Sequence, residues 1–195
     1  MATQDNPWRT LSSREIYHNP WIGVREDKVV QPNGGDGIYG VVSFKNLAIG
    51  VLPIDLDGST YLVGQYRYPL GVYSWELPEG GGARDTAPLL SAQRELKEET
   101  GLQAGDWREF LRMDLSNSVS DETAICFLAL DLVQGEAEPE DNEVLEVKRV
   151  SFQKALSMAL DGEITDAMSV AMLLKARLLA LQGALPAPIC DRLAQ

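Results

Sequence analysis

One stretch of this chain gathers side chains whose types and spacing could do chemistry. From Gly80 to Leu102, a glycine run reads as a turn feeding a helix that bears Arg94, Glu95, Glu98 and Glu99 and stops at Gly101. Residues four apart share a helix face, so Glu95 and Glu99 project together, and Glu98 lies beside Glu95 at a spacing of three. Like charges placed this way destabilise a helix by about 0.2–0.5 kcal/mol per pair. A hard cation between the carboxylates removes that repulsion, and magnesium takes oxygen ligands from one or two carboxylates together with phosphates and waters. Arg94, four residues before Glu98, is placed to pair with it and fix its rotamer. Gly101 suits the left-handed residue that closes a helix. A bare Glu-x-x-Glu-Glu is ordinarily a solvated acidic face. Here Glu76-Leu77-Pro78-Glu79-Gly80 and the glycine run ahead of the helix favour a device that holds divalent cations against a phosphate chain.

The elements that must position this helix are legible as alternating short segments. Trp21 to Arg25 and Lys28 to Gln31 read as a hairpin or bent strand, Pro32 to Gly37 as a turn, and Ile38 to Phe44 as a further strand. Residues 1–46 are therefore expected to form a small N-terminal antiparallel β extension. Ala48 to Pro53 and Tyr61 to Tyr68 follow as strands around the turn at Asp55 to Gly58. After the acidic helix come strands at Asp106 to Met113, Ala124 to Leu132 and Val144 to Phe152, then helices at Gln153 to Leu160 and Asp166 to Leu181. The main domain is expected over 47–183, with 184–195 as a loose tail. Strands mixed with helices on both sides indicate an α/β or α+β fold.

Composition narrows the classes. A chain of 195 residues that is 45% hydrophobic can bury a core as one domain plus an extension. It has no apolar run of about 18 residues, so no membrane span is expected, and its first residues lack a basic and apolar leader. Cys126 and Cys190 stand alone, which fits a reducing, cytoplasmic setting. The net charge of −12 argues against nucleic acid or acidic lipid as partner. A small anionic substrate is compatible with it, because bound metal would screen the site locally. His18 is the single histidine and reads as structural or surface. Zinc normally needs Cys or His ligands. Oxygen donors favour Mg2+, with Mn2+ as a possible substitute.

The Gly80 to Leu102 stretch resembles the signature of the Nudix hydrolase family: Gly, five residues, Glu, seven residues, then Arg-Glu-(apolar)-x-Glu-Glu-x-Gly-(apolar). Gly80, Arg94, Glu95, Leu96, Glu98, Glu99, Gly101 and Leu102 match in register. The isolated Glu of the pattern falls on Thr86, with Asp85 beside it. Thr86 is placed to cap the helix start, with Pro88 in the first turn. The resemblance implies an α/β/α Nudix sandwich. Gln65 to Pro69, Trp75 to Gly80, Ser118 to Glu122 and Gly162 to Ala167 are similar to the corresponding segments of ADP-ribose pyrophosphatases and related nucleoside-diphosphate-sugar hydrolases. Many of those have Ser-Pro-Gly in the polar loop, where this chain reads Ser116-Asn117-Ser118-Val119 without the proline.

The resemblance also implies an enzyme. It would hydrolyse the pyrophosphate bond of nucleoside diphosphate sugars, ADP-ribose first among them, giving a nucleoside monophosphate and a sugar phosphate. GDP-mannose, another nucleotide sugar or a dinucleoside compound are alternative substrates, and a catalytically silent nucleotide-sugar sensor is the non-enzymatic alternative. The metal ligands implied are Glu95, Glu98 and Glu99 with the backbone carbonyl of Glu79. The base is expected in the acidic loop before a late strand, at Glu143 with Asp141 and Glu140 behind it. Arg94 and Glu98 complete the catalytic set. Arg67 is a candidate for the diphosphate or terminal sugar, its fork matching phosphate oxygens. Glu76 could bond sugar hydroxyls or pair with an arginine. Trp21 could stack on a base or belong to a core or dimer interface, and Trp75 is similarly open. A homodimer built through the extension is implied as well.

Overall fold

In a computed structural model that describes residues 5–136 and 144–195, ten strands form three sheets and four helices flank them. Strands β1 (Arg9–His18), β2 (Ile22–Val30) and β3 (Asp36–Phe44) make an antiparallel sheet in that order. The two segments read as a hairpin are one strand, β2, and the strand that precedes it, β1, carries no apolar alternation that would have marked it. Its residues are all exposed.

The central sheet is mixed. It is built from β4 (Asn46–Pro53), β7 (Glu79–Ala83), β8 (Leu102–Leu115) and β9 (Glu122–Gln134) in the order β7-β4-β9-β8. The β4–β9 pair is parallel and the other two pairs are antiparallel. A third sheet joins β5 (Ser59–Arg67), β6 (Val72–Glu76) and β10 (Glu146–Ser151) in the order β10-β5-β6.

Period-two alternation divides the core. Ile49, Val51, Ile125, Phe127 and Ala129 face Ala92 and Leu96 of helix α1 (Pro88–Thr100). From the same strands Leu52, Ala124, Cys126, Leu128 and Leu130 point the other way, into a cluster with α2 (Phe152–Leu160), α3 (Ala167–Leu181) and α4 (Ala187–Leu193). Helices thus cover both faces of the mixed sheet, as the expected α/β sandwich requires.

Three further sequence expectations are corrected. The glycine run is a strand, β7, pairing Gly80 with Ile49 and Gly81 with Ala48. Without side chains on this edge, α1 can lie directly against it. Thr86 does not cap α1: the cap residue is Ala87, without a side-chain bond, and Pro88 opens the helix. The Thr86 amide instead donates to the Ala83 carbonyl, which commits Thr86 to the turn leaving β7. The tail at 184–195 is not loose, since Pro186 and Pro188 preset the entry to α4. Ile189 and Leu193 are buried against the rest of the core, and Arg177 of α3 donates to the carbonyls of Leu193 and Gln195. Gly101, at φ 74°, ends α1 as expected, its N–H reaching the Lys97 carbonyl.

Candidate active site

Helix α1 is amphipathic, and the face that carries its apolar anchors also carries two of the carboxylates. Glu95 and Glu99 are only 8% and 4% exposed, although neither is apolar. Burial of ionised groups is costly unless they are paired or hold a metal, so these carboxylates are kept inside for a reason other than packing. Arg94 accounts for part of it. Its guanidinium donates to Glu98 Oε2 and Glu95 Oε1, both at 2.6 Å, and to the Gly81 carbonyl at 2.8 Å. Burial works against the charged guanidinium, yet the Glu95 and Glu98 carboxylates hold its pKa above the ordinary value. Glu99 accepts the Glu79 backbone N–H at 3.1 Å. The helix and β7 are thereby tied together by these side chains themselves.

Gly80 stands opposite Glu95. A Cβ at this position would fall well inside 3.0 Å of the Glu95 carboxylate carbon and both its oxygens. The absence of a side chain at 80 is what gives the carboxylate its place.

Gly80 and Gly81, the β7 residues that Glu95 and Arg94 meet, line a cleft of about 580 Å³ that opens between the N-terminal sheet and the mixed sheet. Trp21 and Phe44 come to it from the extension, Glu79 to Gly81 from β7, Glu122 from β9 and Asp166 from the start of α3. Trp21 is 68% exposed, which removes the core reading for it. Arg67 lines the same cleft and its Nε donates to both oxygens of Glu76 at 3.0 Å, with Nη2 adding a third, short contact. Glu76 is buried, and its hydrogen bonds raise the Arg67 pKa against the opposing effect of desolvation. Glu76 is therefore the arginine's partner, one of the two roles open to it. Trp75 packs against Tyr73, with the Lys148 ammonium 3.7 Å from its ring centre. His18 is exposed and meets Glu15.

Glu79 has a role that its position in the sequence did not suggest. Its side chain lies beside Ser169, whose hydroxyl donates at 3.4 Å. Burial, then the Asp166 and Glu76 carboxylates, push the Glu79 carboxyl well up, against the lowering pull of Arg67. Asp166 also caps α3 by accepting the Ser169 N–H at 2.7 Å. Asp166 and Ser169 were missed as site residues. The sequence signals are the resemblance over Gly162 to Ala167, which includes Asp166 without giving it a role, and the Asp-x-x-Ser start of a helix, which reads equally well as an ordinary cap. Glu122, at the opposite wall, has its pKa raised by burial and by Asp121. Glu143, Asp141 and Glu140, the expected base and its neighbours, lie outside the described residues.

As the side chains stand, no three acidic, histidine or cysteine groups among the described residues are gathered to hold an ion. Arg94 engages Glu95 and Glu98, while the β7 backbone engages Glu99. The donor set still fits a hard divalent cation: three carboxylates within two turns of one helix, oxygen only, with Glu95 set in the space that a Cβ at Gly80 would fill.

Comparison with known proteins gives the family and the fold. The family model described as "NUDIX domain" matches residues 45–171, and one described as "Nucleoside diphosphate sugar hydrolase N-terminal domain" matches residues 8–42. The chain is 32% identical over 194 residues to an ADP-ribose pyrophosphatase of Mycobacterium tuberculosis (strain ATCC 25618 / H37Rv), covering 97% of this chain and 91% of that protein. It is 29% identical over 161 residues to an ADP-ribose pyrophosphatase of Bacillus subtilis (strain 168), covering 82% and 86%. A solved structure of an ADP compounds hydrolase superposes with a TM-score of 0.82 at 21% identity, over 94% of this chain and all of that one, which shows a shared fold.

Proposed function

The chain belongs to the Nudix hydrolase family, and from that premise we propose that it hydrolyses the pyrophosphate bond of nucleoside diphosphate sugars, with ADP-ribose the leading substrate. The products would be a nucleoside monophosphate and a sugar phosphate. The observation that carries this reading is the buried pair Glu95 and Glu99, the first held by Arg94 against Gly80, which lines the cleft, and the second held by the Glu79 N–H. The names of the relatives and the match to the N-terminal domain over residues 8–42 support the choice of substrate class.

In this reading Glu95, Glu98, Glu99 and the Glu79 carbonyl hold Mg2+, for which Mn2+ can substitute. An ion held there would supply charge neutralisation at the phosphoryl oxygens and activation of the attacking water. The protein's own part is positioning. Arg94 keeps Glu95 and Glu98 in register, and the Glu79 N–H orients Glu99. Arg67, held by Glu76, offers its remaining donors to the diphosphate or terminal sugar. Trp21 offers an exposed ring at the cleft mouth on which a base can stack. Glu143 accepts the proton of the attacking water. A homodimer formed through residues 1–46 belongs to the same reading, supported by Trp8, Leu11, Ile16 and Tyr17 on and beside the exposed strand β1. Residues 47–183 would then act as the catalytic domain. No helix of the described residues is long and apolar enough to cross a membrane, and the two cysteines are free; a cytoplasmic location accords with both.

The test is release of phosphate monoester from a panel of nucleotide sugars, with and without magnesium, read by a coupled phosphatase. Magnesium-dependent turnover that disappears in Glu98→Gln and Glu99→Gln is expected. Turnover that survives both substitutions would overturn the assignment of these carboxylates. Binding without turnover of any panel member would make the chain a sensor.

A further inference from the structure

Helix α1 has a second groove on the side turned toward β8. It measures about 370 Å³ and is lined by Gln93, Arg94 and Lys97 of α1 and by Gln103, Ala104 and Trp107 of β8. Its charged lining groups are both cations, on a chain whose net charge is −12. The Trp107 indole N–H is spent on the Ala104 carbonyl at 3.0 Å and the ring is braced edge-on by Phe127, so the side chain is held as a fixed wall. Two carboxamides complete the lining, each able to donate and to accept. The groove is smaller than the 580 Å³ cleft yet within the roughly 300–1,000 Å³ of small-molecule sites.

We propose that this groove binds a nucleoside monophosphate, and that its occupancy slows turnover at the cleft through Arg94. A phosphate monoester meets the two cations, a flat base lies on Trp107, and the carboxamides reach the base edge. Arg94 belongs to both places. The guanidinium that an anion in the groove would attract is the one that holds Glu95 and Glu98. Binding there competes with the bonds that keep the two carboxylates in register. The inhibitory half of the proposal rests on the hydrolase reading; the binding half does not.

The experiment titrates the full chain with adenosine 5′-monophosphate in EDTA, where no turnover occurs, and follows the indole NMR signals of Trp107 and Trp21. The Trp107 signal, assigned with Trp107→Phe, is expected to move saturably. Its half-saturation should rise about tenfold in Lys97→Met, the loss of one charge-assisted hydrogen bond, and stay unchanged in Arg67→Ala. With magnesium and substrate, the nucleotide should inhibit with a non-competitive component that Lys97→Met removes while leaving uninhibited turnover intact. Movement confined to Trp21, or a Trp107 response indifferent to Lys97→Met, overturns the proposal. An equal Trp107 response to inorganic phosphate alone overturns the nucleoside part of it. A response in EDTA without any turnover in magnesium would refute the hydrolase reading and leave the binding site standing.

Discussion

Replacing Gly80 by alanine tests the reason for glycine at the start of the acidic signature. The added methyl would sit well inside 3.0 Å of three atoms of the Glu95 carboxylate. Reaching the 3.4 Å at which ordinary contact begins requires the carboxylate to withdraw by about 1 Å. The obstructing group is the end of a flexible side chain, so the strand itself need not move. The fold should therefore lose little, within about 1 kcal/mol, because alanine also restricts the unfolded chain. The site should lose much more. A misplacement of about 1 Å can cost a factor of about 100 in rate, and Glu95 would also be drawn from its 2.6 Å bond to Arg94. Magnesium-dependent turnover measured beside the thermal midpoint separates the two effects. A fall in kcat of about two orders of magnitude with a near-native midpoint is expected. A Gly80→Ala enzyme that keeps wild-type kcat and magnesium dependence would refute the argument that Gly80 exists to seat Glu95.

Other expectations concern the wall, the core and the extension. Glu76→Gln leaves Arg67 with a neutral partner in place of a buried carboxylate. Because the arginine is about one-third exposed, the stability loss should be about 1–2 kcal/mol rather than the full cost of a broken buried pair. KM should rise more than kcat falls, and an unchanged KM would show that Arg67 does not meet substrate. Burial, with smaller contributions from Glu79 and Asp166, pushes the Cys126 thiol up to about 12. In native protein at pH 8 it should therefore resist alkylation by iodoacetamide and react once guanidinium unfolds the chain; mass spectrometry showing rapid native labelling would contradict its place in the core. Light scattering should give twice the 21.4 kDa chain mass at micromolar concentration, falling toward the monomer in Ile16→Lys/Tyr17→Lys. A wild-type monomer would remove the extension as a dimer surface.

The sequence by itself determined which side chains of α1 stand together. Helical periodicity requires Glu95 and Glu99 to share a face and Arg94 to reach Glu98, and the observed bonds obey it. It also determined most of the strands, because β4 and β9 must alternate side chains between two apolar layers. It failed where local signals mislead. Gly80 to Gly82 reads as a turn, but a strand edge free of side chains is what a closely packed helix needs, and only the pairing with β4 shows that. Pro186 and Pro188 read as a loose tail, whereas burial of Ile189 and Leu193 stabilises α4. Thr86 reads as a cap, but its amide is committed to the turn before the helix.

Tertiary structure alone decided what lies across the cleft. Arg67 and Glu76 come from neighbouring strands whose pairing no sequence motif announces. Asp166 and Ser169 reach Glu79 over about ninety residues of chain. Trp21 arrives from a separate sheet. Spacing along a helix is fixed by covalent geometry and can be read from one line of residues. Contacts between sheets depend on which surfaces the whole chain buries together, a property that no single segment carries.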